Sequence, residues 1–212
     1  MQYKIDKILT GKWKENCYII STFSHAIIID PGDDPDKISN IIKRKLIKPV
    51  AILLTHGHYD HIGAVEDLKQ EYHIPVYLHS SDLKLVKQAN TYKIFFSGEK
   101  PIKIPLIEYD LKGIASLQII GIDLIVHYTP GHTTGSVCFQ FDNHLFTGDL
   151  IFKAKIGRTD LPGANKIEYK KSLINLSKLY PGIIIYPGHG ENTVLEYELE
   201  NNTEFIRIIN EN

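Results

Sequence analysis

Short apolar runs recur along most of this chain and are separated by polar or glycine-containing segments. Runs of this length that are rich in isoleucine, valine and leucine are typical of strands, because a helix needs a longer stretch with its own period. The predicted strands are 3–9, 17–20, 26–29, 50–54, 75–78, 124–128, 137–141, 145–147 and 183–186. Two of the gaps, 21–25 and 142–143, are short enough to be hairpin turns.

Other segments carry apolar residues at the spacing of an amphipathic helix, as at Ile38, Ile41 and Ile42. The predicted helices are 36–46, 62–72, 80–88, 166–179 and a polar tail, 193–210. Glycine and proline interrupt 90–122, which predicts short strands and turns, and 155–165 is predicted to be an irregular loop. Each half of the chain runs strands first and helices afterwards. This order predicts an α/β fold, an αββα sandwich of two mixed β-sheets with helices on both outer faces.

Composition limits the kinds of protein this chain can be. With 43% hydrophobic and 23% charged residues it is an ordinary globular protein, and its 212 residues predict a single domain over 1–212. The formal net charge of -1 gives no broad basic surface, so nucleic acid is not an expected partner. The pattern carries no indication of the oligomeric state.

The same sequence features predict the compartment. Residues 1–16 lack the apolar core of a secretory signal, and no apolar run reaches transmembrane length. We therefore expect a protein of the cytoplasm or an organelle matrix that is neither secreted nor bound to a membrane. Cys17 and Cys138 both lie in predicted strands, where we expect buried free thiols.

The chemistry begins at residues 55–61, Thr-His-Gly-His-Tyr-Asp-His, which follow the predicted strand 50–54 and precede the predicted helix 62–72. Three imidazoles and a carboxylate are costly to bury without partners. A divalent metal removes that cost, because neutral histidine nitrogen and aspartate oxygen are among its preferred ligands. The motif therefore predicts a metal site where a strand ends, and the alternative interpretation is a solvated polar loop.

Three more candidates stand at equivalent places, because His132, Asp149 and His189 each follow a predicted strand and a neighbouring glycine. A lone residue of this kind is usually part of a turn, but three of them beside the motif indicate one shared site. The other histidines are interpreted as structural or surface residues, with His79 as the first alternative ligand. They are His25, His73, His79, His127 and His144.

This ordered set, with Asp30 at the end of the strand 26–29, resembles the metallo-β-lactamase superfamily over nearly the whole chain. The resemblance implies the αββα fold with a metal site at one edge. It implies that one metal is held by His56, His58 and His132, and a second by Asp60, His61 and His189. Asp149 would bridge the two metals, Asp60 and Asp149 would be the catalytic residues, and Asp30 would brace the site without binding metal. The implied cofactors are two divalent metal ions, with zinc as first choice and iron or manganese as alternatives.

Within that superfamily, residues 148–152, 157–163 and 187–190 are similar to glyoxalase II of the short single-domain type, a hydroxyacylglutathione hydrolase. The resemblance implies hydrolysis of S-lactoylglutathione to lactate and glutathione, with a metal-bridging hydroxide as nucleophile. The implied partner is a small-molecule thioester, and Arg158 would bind it. A thioester suits a sequence without a clear general acid, because a thiolate leaves with little protonation.

The chain also departs from the longer glyoxalase II enzymes. Those enzymes append a helical domain with basic residues, whereas the tail after His189 is mostly acidic here, and Asp160 stands where they have tyrosine. Other activities therefore remain open: a hydrolase of another thioester or ester, a nuclease or a metal-folded scaffold. A further alternative is a persulfide dioxygenase with one iron held by His56, His132 and Asp149.

Overall fold

Two six-stranded sheets form the centre of the protein, and helices pack on the outer face of each. The structure is a computed structural model and describes residues 2–211. The first half contains β1 (Lys4–Thr10), β2 (Glu15–Ser21), β3 (His25–Ile29), α1 (Pro35–Lys45), β4 (Lys48–Leu53), α2 (Tyr59–Ile62), α3 (Val65–Tyr72), β5 (Val76–Leu78), α4 (Leu83–Ser97) and β6 (Tyr109–Asp110). The second half contains β7 (Ser116–Ile119), β8 (Ile122–Tyr128), β9 (Val137–Phe141), β10 (His144–Gly148), β11 (Ile151–Phe152), β12 (Lys155–Ile156), α5 (Lys166–Leu176), β13 (Ile184–Pro187), β14 (Thr193–Val194), α6 (Leu195–Asn201) and α7 (Thr203–Asn210).

Both sheets are mixed. The first has the order β1-β2-β3-β4-β5-β6, antiparallel from β1 to β3 and parallel from β3 to β6. The second has the order β14-β13-β10-β9-β8-β7, in which only the pair of β10 and β13 is parallel among residues 2–211. The predicted αββα sandwich of the α/β class is confirmed.

Alternating side chains divide the core into three layers. In β2, Tyr18 and Ile20 pack between the two sheets, whereas Cys17 and Ile19 pack against the first helical layer. Cys138 of β9 belongs to the second helical layer. Since successive side chains of a strand point to opposite faces, a strand covered on both faces is apolar throughout. This explains the continuous apolar runs, and both cysteines are buried free thiols as expected.

Five predicted segments differ from the observed elements in extent or in kind. The predicted helix 62–72 is two helices, with Gly63 and Ala64 between them. A Cβ at Gly63 would lie 2.1 Å from Asp33 Oδ1, so this junction requires glycine. The predicted helix 80–88 begins with a 3-10 turn and continues as α4 to Ser97, so 90–97 is helical rather than strands and turns. Lys93 interrupts the apolar pattern of this helix, because it occupies a buried position where its Nζ lies 2.7 Å from Asp33 Oδ2.

The predicted helical tail 193–210 is the strand β14 followed by two helices, and the predicted loop 155–165 contains the short strand β12. Asn202 separates the two helices of the tail, where its side chain accepts a hydrogen bond from Phe205 N–H and caps α7. No helix formed by residues 2–211 combines the length and the apolar character needed to cross a membrane.

Candidate metal centre

The seven residues predicted to bind metal follow four strands. After β4, His56 and His58 lie in a loop and Asp60 and His61 in the helix α2, and the loops after β8, β10 and β13 carry one residue each. β4 belongs to the first sheet and the other three strands to the second, so both sheets contribute to the site. The structure therefore brings together, at one edge of the sandwich, residues that are far apart in sequence.

One group contains three imidazoles, from His56, His58 and His132, whose ligand atoms all lie within 4.8 Å of one another. His58 Nδ1 is 3.1 Å from His56 Nε2 and 3.0 Å from His132 Nε2. Burial and the neighbouring His132 lower the pKa of His58 to about 3. Burial and the surrounding imidazoles also lower the pKa of His56 well below its ordinary value. Converging neutral imidazoles are the form of histidine that binds a divalent cation.

A second group contains Asp60, His61 and His189, again within 4.8 Å. Asp149 lies between the two groups, because its Oδ1 is 3.4 Å from His61 Nε2 and its Oδ2 is 3.6 Å from His132 Nε2. The same Oδ2 is 3.7 Å from His189 Nε2. Asp149 therefore lies within reach of both groups, and its role as a bridging ligand stays a prediction.

Charge is strongly coupled across the second group. Burial alone would lower the pKa of His61, but the carboxylates of Asp149 and Asp30 outweigh it and raise that pKa well above the ordinary value. Burial would raise the pKa of Asp149, but His189 and His61 outweigh it and hold that pKa well below its ordinary value. Opposite charges therefore stabilise each other at this largely buried place.

The polar atoms at this place fit a metal. His61 Nε2 and Asp149 Oδ1 are buried and have no hydrogen-bond partner among residues 2–211. Buried polar groups in folded proteins almost always have a partner, so two unpaired atoms that face each other need an explanation. A cation between them would satisfy both atoms, and the imidazole and carboxylate donors suit zinc, iron or manganese.

The remote nitrogens of three of these imidazoles are held by oxygen atoms. His61 Nδ1 lies 3.0 Å from Asp30 Oδ2, His132 Nδ1 lies 2.8 Å from the Arg158 carbonyl, and His189 Nδ1 lies 3.2 Å from the Trp13 carbonyl. Such bonds fix the ring orientation and leave the other nitrogen free to bind a metal.

Asp30, predicted to brace the site without binding metal, also forms a third possible ligand group with His56 and His61, so its bracing role stays a prediction. Its two carboxylate oxygens also accept hydrogen bonds from the Thr55 amide at 2.7 Å and the Thr55 hydroxyl at 2.5 Å. Asp30 therefore connects His61 to the residue that opens the histidine loop.

Sequence reasoning missed Asp82, which is fully buried. Its carboxylate accepts hydrogen bonds from the Gly57 amide at 2.9 Å, the Gly135 amide at 2.7 Å and the Thr133 hydroxyl at 2.6 Å. Asp82 thereby ties the loop of His56 and His58 to the loop of His132. Asp82 lies within the predicted helix 80–88, where the sequence carries no signal of this role.

The five remaining histidines do not join either group. His79 accepts a hydrogen bond from the Ser81 amide and stacks on Tyr128 at 4.7 Å, so it is part of the local turn. His144 lies between Tyr3 and Tyr186, with its two nitrogens 2.9 and 3.0 Å from their hydroxyl oxygens. None of the five belongs to a ligand group formed by residues 2–211.

A pocket of about 370 Å³ opens above the ligand residues. Arg158, predicted to bind substrate, lies at this pocket, but its guanidinium donates two hydrogen bonds to Asp160, each 2.9 Å long. Both side chains are largely exposed, and exposed ion pairs are weak. A substrate carboxylate would therefore compete with Asp160 for the same donors.

An αββα sandwich with imidazoles and carboxylates gathered at one edge defines a class of metal-dependent proteins. The chain belongs to the metallo-beta-lactamase superfamily, whose family model matches residues 10–189. That match includes every residue of the two ligand groups and Asp149.

Individual relatives agree with this assignment. The probable metallo-hydrolase YqgX of Bacillus subtilis (strain 168) is 32% identical over 195 residues, which are 91% of this chain and 92% of that protein. The crystal structure of the BLEG-1 B3 metallo-beta-lactamase has a TM-score of 0.91 and 33% identity, covering 95% of this chain and 99% of that one. The crystal structure of TTHA1623 in a di-iron-bound form has a TM-score of 0.85 and 36% identity, covering 93% and 98%. The predicted superfamily is confirmed.

Proposed function

We propose that this protein is a binuclear metal-dependent hydrolase of thioesters, and that hydroxyacyl-glutathione thioesters such as S-lactoylglutathione are among its substrates. The position of Asp149 carries the proposal, because its carboxylate lies 3.4 to 3.7 Å from imidazole nitrogens of both ligand groups. The glutathione part rests on the similarity of residues 157–163 to glyoxalase II. The name of YqgX, a probable metallo-hydrolase, supports the class of reaction.

The proposed ligands of the first metal are His56, His58 and His132, and those of the second are Asp60, His61 and His189, with Asp149 shared. Divalent cations act as Lewis acids in such sites, where they make water nucleophilic near neutral pH and stabilise a negatively charged transition state. Zinc is the first choice. Iron and manganese are alternatives, and the TTHA1623 relative carries two irons in its crystal structure.

The residues of the chain contribute orientation and exclusion of water. Asp30 and the Arg158 carbonyl hold the rings of His61 and His132 at their remote nitrogens. The walls of the pocket shield the reacting group from solvent, which strengthens each electrostatic interaction at the floor. A thiol leaving group, with a pKa of about 8.5, can depart without a dedicated acid.

The test is elemental analysis of the purified protein combined with assays on thioesters, lactones, β-lactams and phosphodiesters. We expect two metals per chain and hydrolysis of thioesters. Asp149→Ala should lose that activity and at least one metal, whereas Asp160→Ala, at an exposed position outside the ligand groups, should keep both metals. The proposal would be overturned if protein carrying its full complement of metal hydrolysed none of the thioesters.

A second candidate is a persulfide dioxygenase with one iron. The distance of 3.6 Å between His132 Nε2 and Asp149 Oδ2 is compatible with both residues binding the same iron together with His56. Oxygen uptake with a persulfide substrate tests this directly. A single metal that binds independently of Asp60, His61 and His189, together with oxygen uptake, would favour the dioxygenase over the hydrolase.

A further inference from the structure

The walls of the pocket above the ligand residues are apolar and come from separate parts of the chain. They are the turn between β1 and β2, the helix α4, the strand β11 and the loop 157–163. The apolar wall is defined as Trp13, Leu85, Tyr92, Phe96, Phe152, Leu161 and Pro162. Four aromatic rings in one wall give a large area over which an apolar group can be removed from water.

The apolar wall adjoins the reacting centre. The ring of Phe152 lies 6.1 Å from the ring of His189, a proposed ligand. Leu85 lies 3.5 Å from the Cβ position of Gly163, so α4 and the loop 157–163 meet. Lys12 Nζ donates a hydrogen bond of 2.8 Å to the Ser97 carbonyl and fixes the turn of Trp13 to the end of α4. A substrate carbonyl at the floor would therefore place its substituents against this wall.

Few charged side chains line the pocket apart from the proposed metal ligands at its floor. Among the lining residues of the described chain, Arg158 is the one permanent cation, and Asp160 already occupies two of its donors. Glutathione has two carboxylates, and at most one could pair with Arg158. Because the wall offers the other carboxylate no cationic partner, the anionic arms of glutathione contribute little to recognition.

On the basis of the thioesterase function proposed above, we infer that the substrate is a thioester with an apolar substituent beside the reacting carbonyl. An alkyl or aryl group would bind against the apolar wall, and the recognition would come from its burial rather than from charge. Each buried methylene group should raise kcat/KM about fourfold, the equivalent of about 0.8 kcal/mol, until the pocket is full.

Two substrate series test this with metal-loaded protein. The first lengthens the acyl group from acetyl to butanoyl to hexanoyl on N-acetylcysteamine, and the second lengthens the thiol from ethanethiol to hexanethiol with a fixed acetyl group. A rise in kcat/KM with length in either series supports the inference and tells which side of the thioester contacts the wall. A flat or falling response in both series would overturn it.

A charge comparison uses hexanoylglutathione and hexanoyl-N-acetylcysteamine, which share the acyl group but differ in carboxylates. We expect their kcat/KM values to agree within about threefold, since an exposed ion pair with Arg158 contributes little. An advantage of tenfold or more for the glutathione thioester would show that anionic recognition dominates, and would contradict the inference.

Substitutions in the apolar wall provide a matched comparison. Trp13 and Phe96 are 48% and 43% exposed, so Trp13→Ala and Phe96→Ala should leave the fold and the metal content intact. Each should reduce the preference for hexanoyl over acetyl at least threefold. Phe95→Ala is the control, because Phe95 is the neighbouring residue of α4 but does not line the pocket. If Phe95→Ala and Phe96→Ala reduced the preference for hexanoyl equally, the result would contradict binding of the acyl group against the apolar wall.

Binding can be measured without turnover, because Trp13 is the only tryptophan in the chain. S-hexylglutathione and S-methylglutathione are thioethers that cannot be hydrolysed. The hexyl compound should change Trp13 fluorescence at concentrations at least tenfold lower than the methyl compound. If it does so and no thioester is hydrolysed, the proposed function fails while the apolar specificity stands. If thioesters are hydrolysed but both thioethers bind equally, the apolar inference fails alone.

Discussion

At the scale of the residue, Asp82 shows how a side chain outside the ligand groups can control them. Its carboxylate holds amides from two loops that carry proposed ligands. Asp82→Asn keeps the size of the side chain but replaces one accepting oxygen with an NH2 group, which cannot accept a hydrogen bond from the amides. We expect metal affinity to fall by about tenfold or more, as with other residues that orient ligands. Titration with a competing chelator measures this.

Asp110→Asn is the matched control for Asp82→Asn. Asp110 also accepts backbone amide bonds, from Ser80 and Lys112, but it is exposed and these bonds do not involve the loops that carry proposed ligands. Its substitution should leave the metal affinity unchanged. Equal metal affinities in wild type and Asp82→Asn would show that the two histidine loops keep their positions without this carboxylate.

The two ligand groups should respond differently to pH. The lowered pKa values of His56 and His58 keep both rings neutral, so they need not lose a proton to bind metal. Although burial opposes it, Asp149 raises the pKa of both His61 and His189, so each must release a proton. As pH falls below those raised pKa values, the metal affinity of the second group should fall. The fall should be up to about tenfold per pH unit for each proton that the metal must displace.

Metal content after dialysis between about pH 7.5 and about pH 5.5 tests this asymmetry. One metal should be lost before the other, and Asp60→Ala should abolish the pH-sensitive fraction. Loss of both metals in parallel would contradict the assignment of protonated imidazoles to the second group alone.

At the scale of the element, Gly188 directly follows β13 and lies against the ligand residues. A Cβ here would lie 2.3 Å from Asp149 Oδ1 and 2.7 Å from His61 Cε1. The backbone cannot withdraw easily, because the Gly188 amide donates to the Gly148 carbonyl and its carbonyl accepts from the Asn16 amide. Gly188→Ala should therefore lose the second metal and most hydrolysis while the protein remains folded.

Gly190→Ala is the control for Gly188→Ala, because it introduces backbone strain without placing a side chain in the metal site. Gly190 has a φ of +82° and no atom within 4 Å of its Cβ position. Its substitution should cost about 1–2 kcal/mol of stability from the left-handed conformation but leave the metal content intact. Circular dichroism and elemental analysis of both variants make the comparison, and metal retention by Gly188→Ala would contradict the close approach.

Strands with nearly continuous apolar runs could be predicted from sequence, as for β3 and β9, because burial on both faces leaves each with a single polar residue, His25 and Gln140. The later part of α4 could not, because Lys93 occupies a core position and its ion pair with Asp33 is formed by tertiary contact. The proposed ligands follow strands and glycines, which is a local signal. The contacts of Asp82 join residues about fifty positions apart, for which one sequence has no signal.

At the scale of the whole molecule, each ligand group contains residues from both sheets. His58 follows a strand of the first sheet and His132 one of the second, and Asp60 and His189 are divided in the same way. Metal binding at either group would therefore fasten the two sheets together at this edge. Because metal ligands assemble only in the folded state, the binding free energy adds to the stability of the sandwich.

The two buried thiols give each helical layer its own chemical reporter. Burial raises the pKa of Cys17 well above its ordinary value and that of Cys138 to about 12, so neither is reactive while its layer is closed. Cys17 lies behind the first sheet and Cys138 behind the second. Pulsed alkylation read by peptide mass spectrometry would thus time the opening of each half separately. If the metals hold the halves together, chelation should speed modification of both thiols alike, and acceleration at one thiol alone would assign the metals to that half.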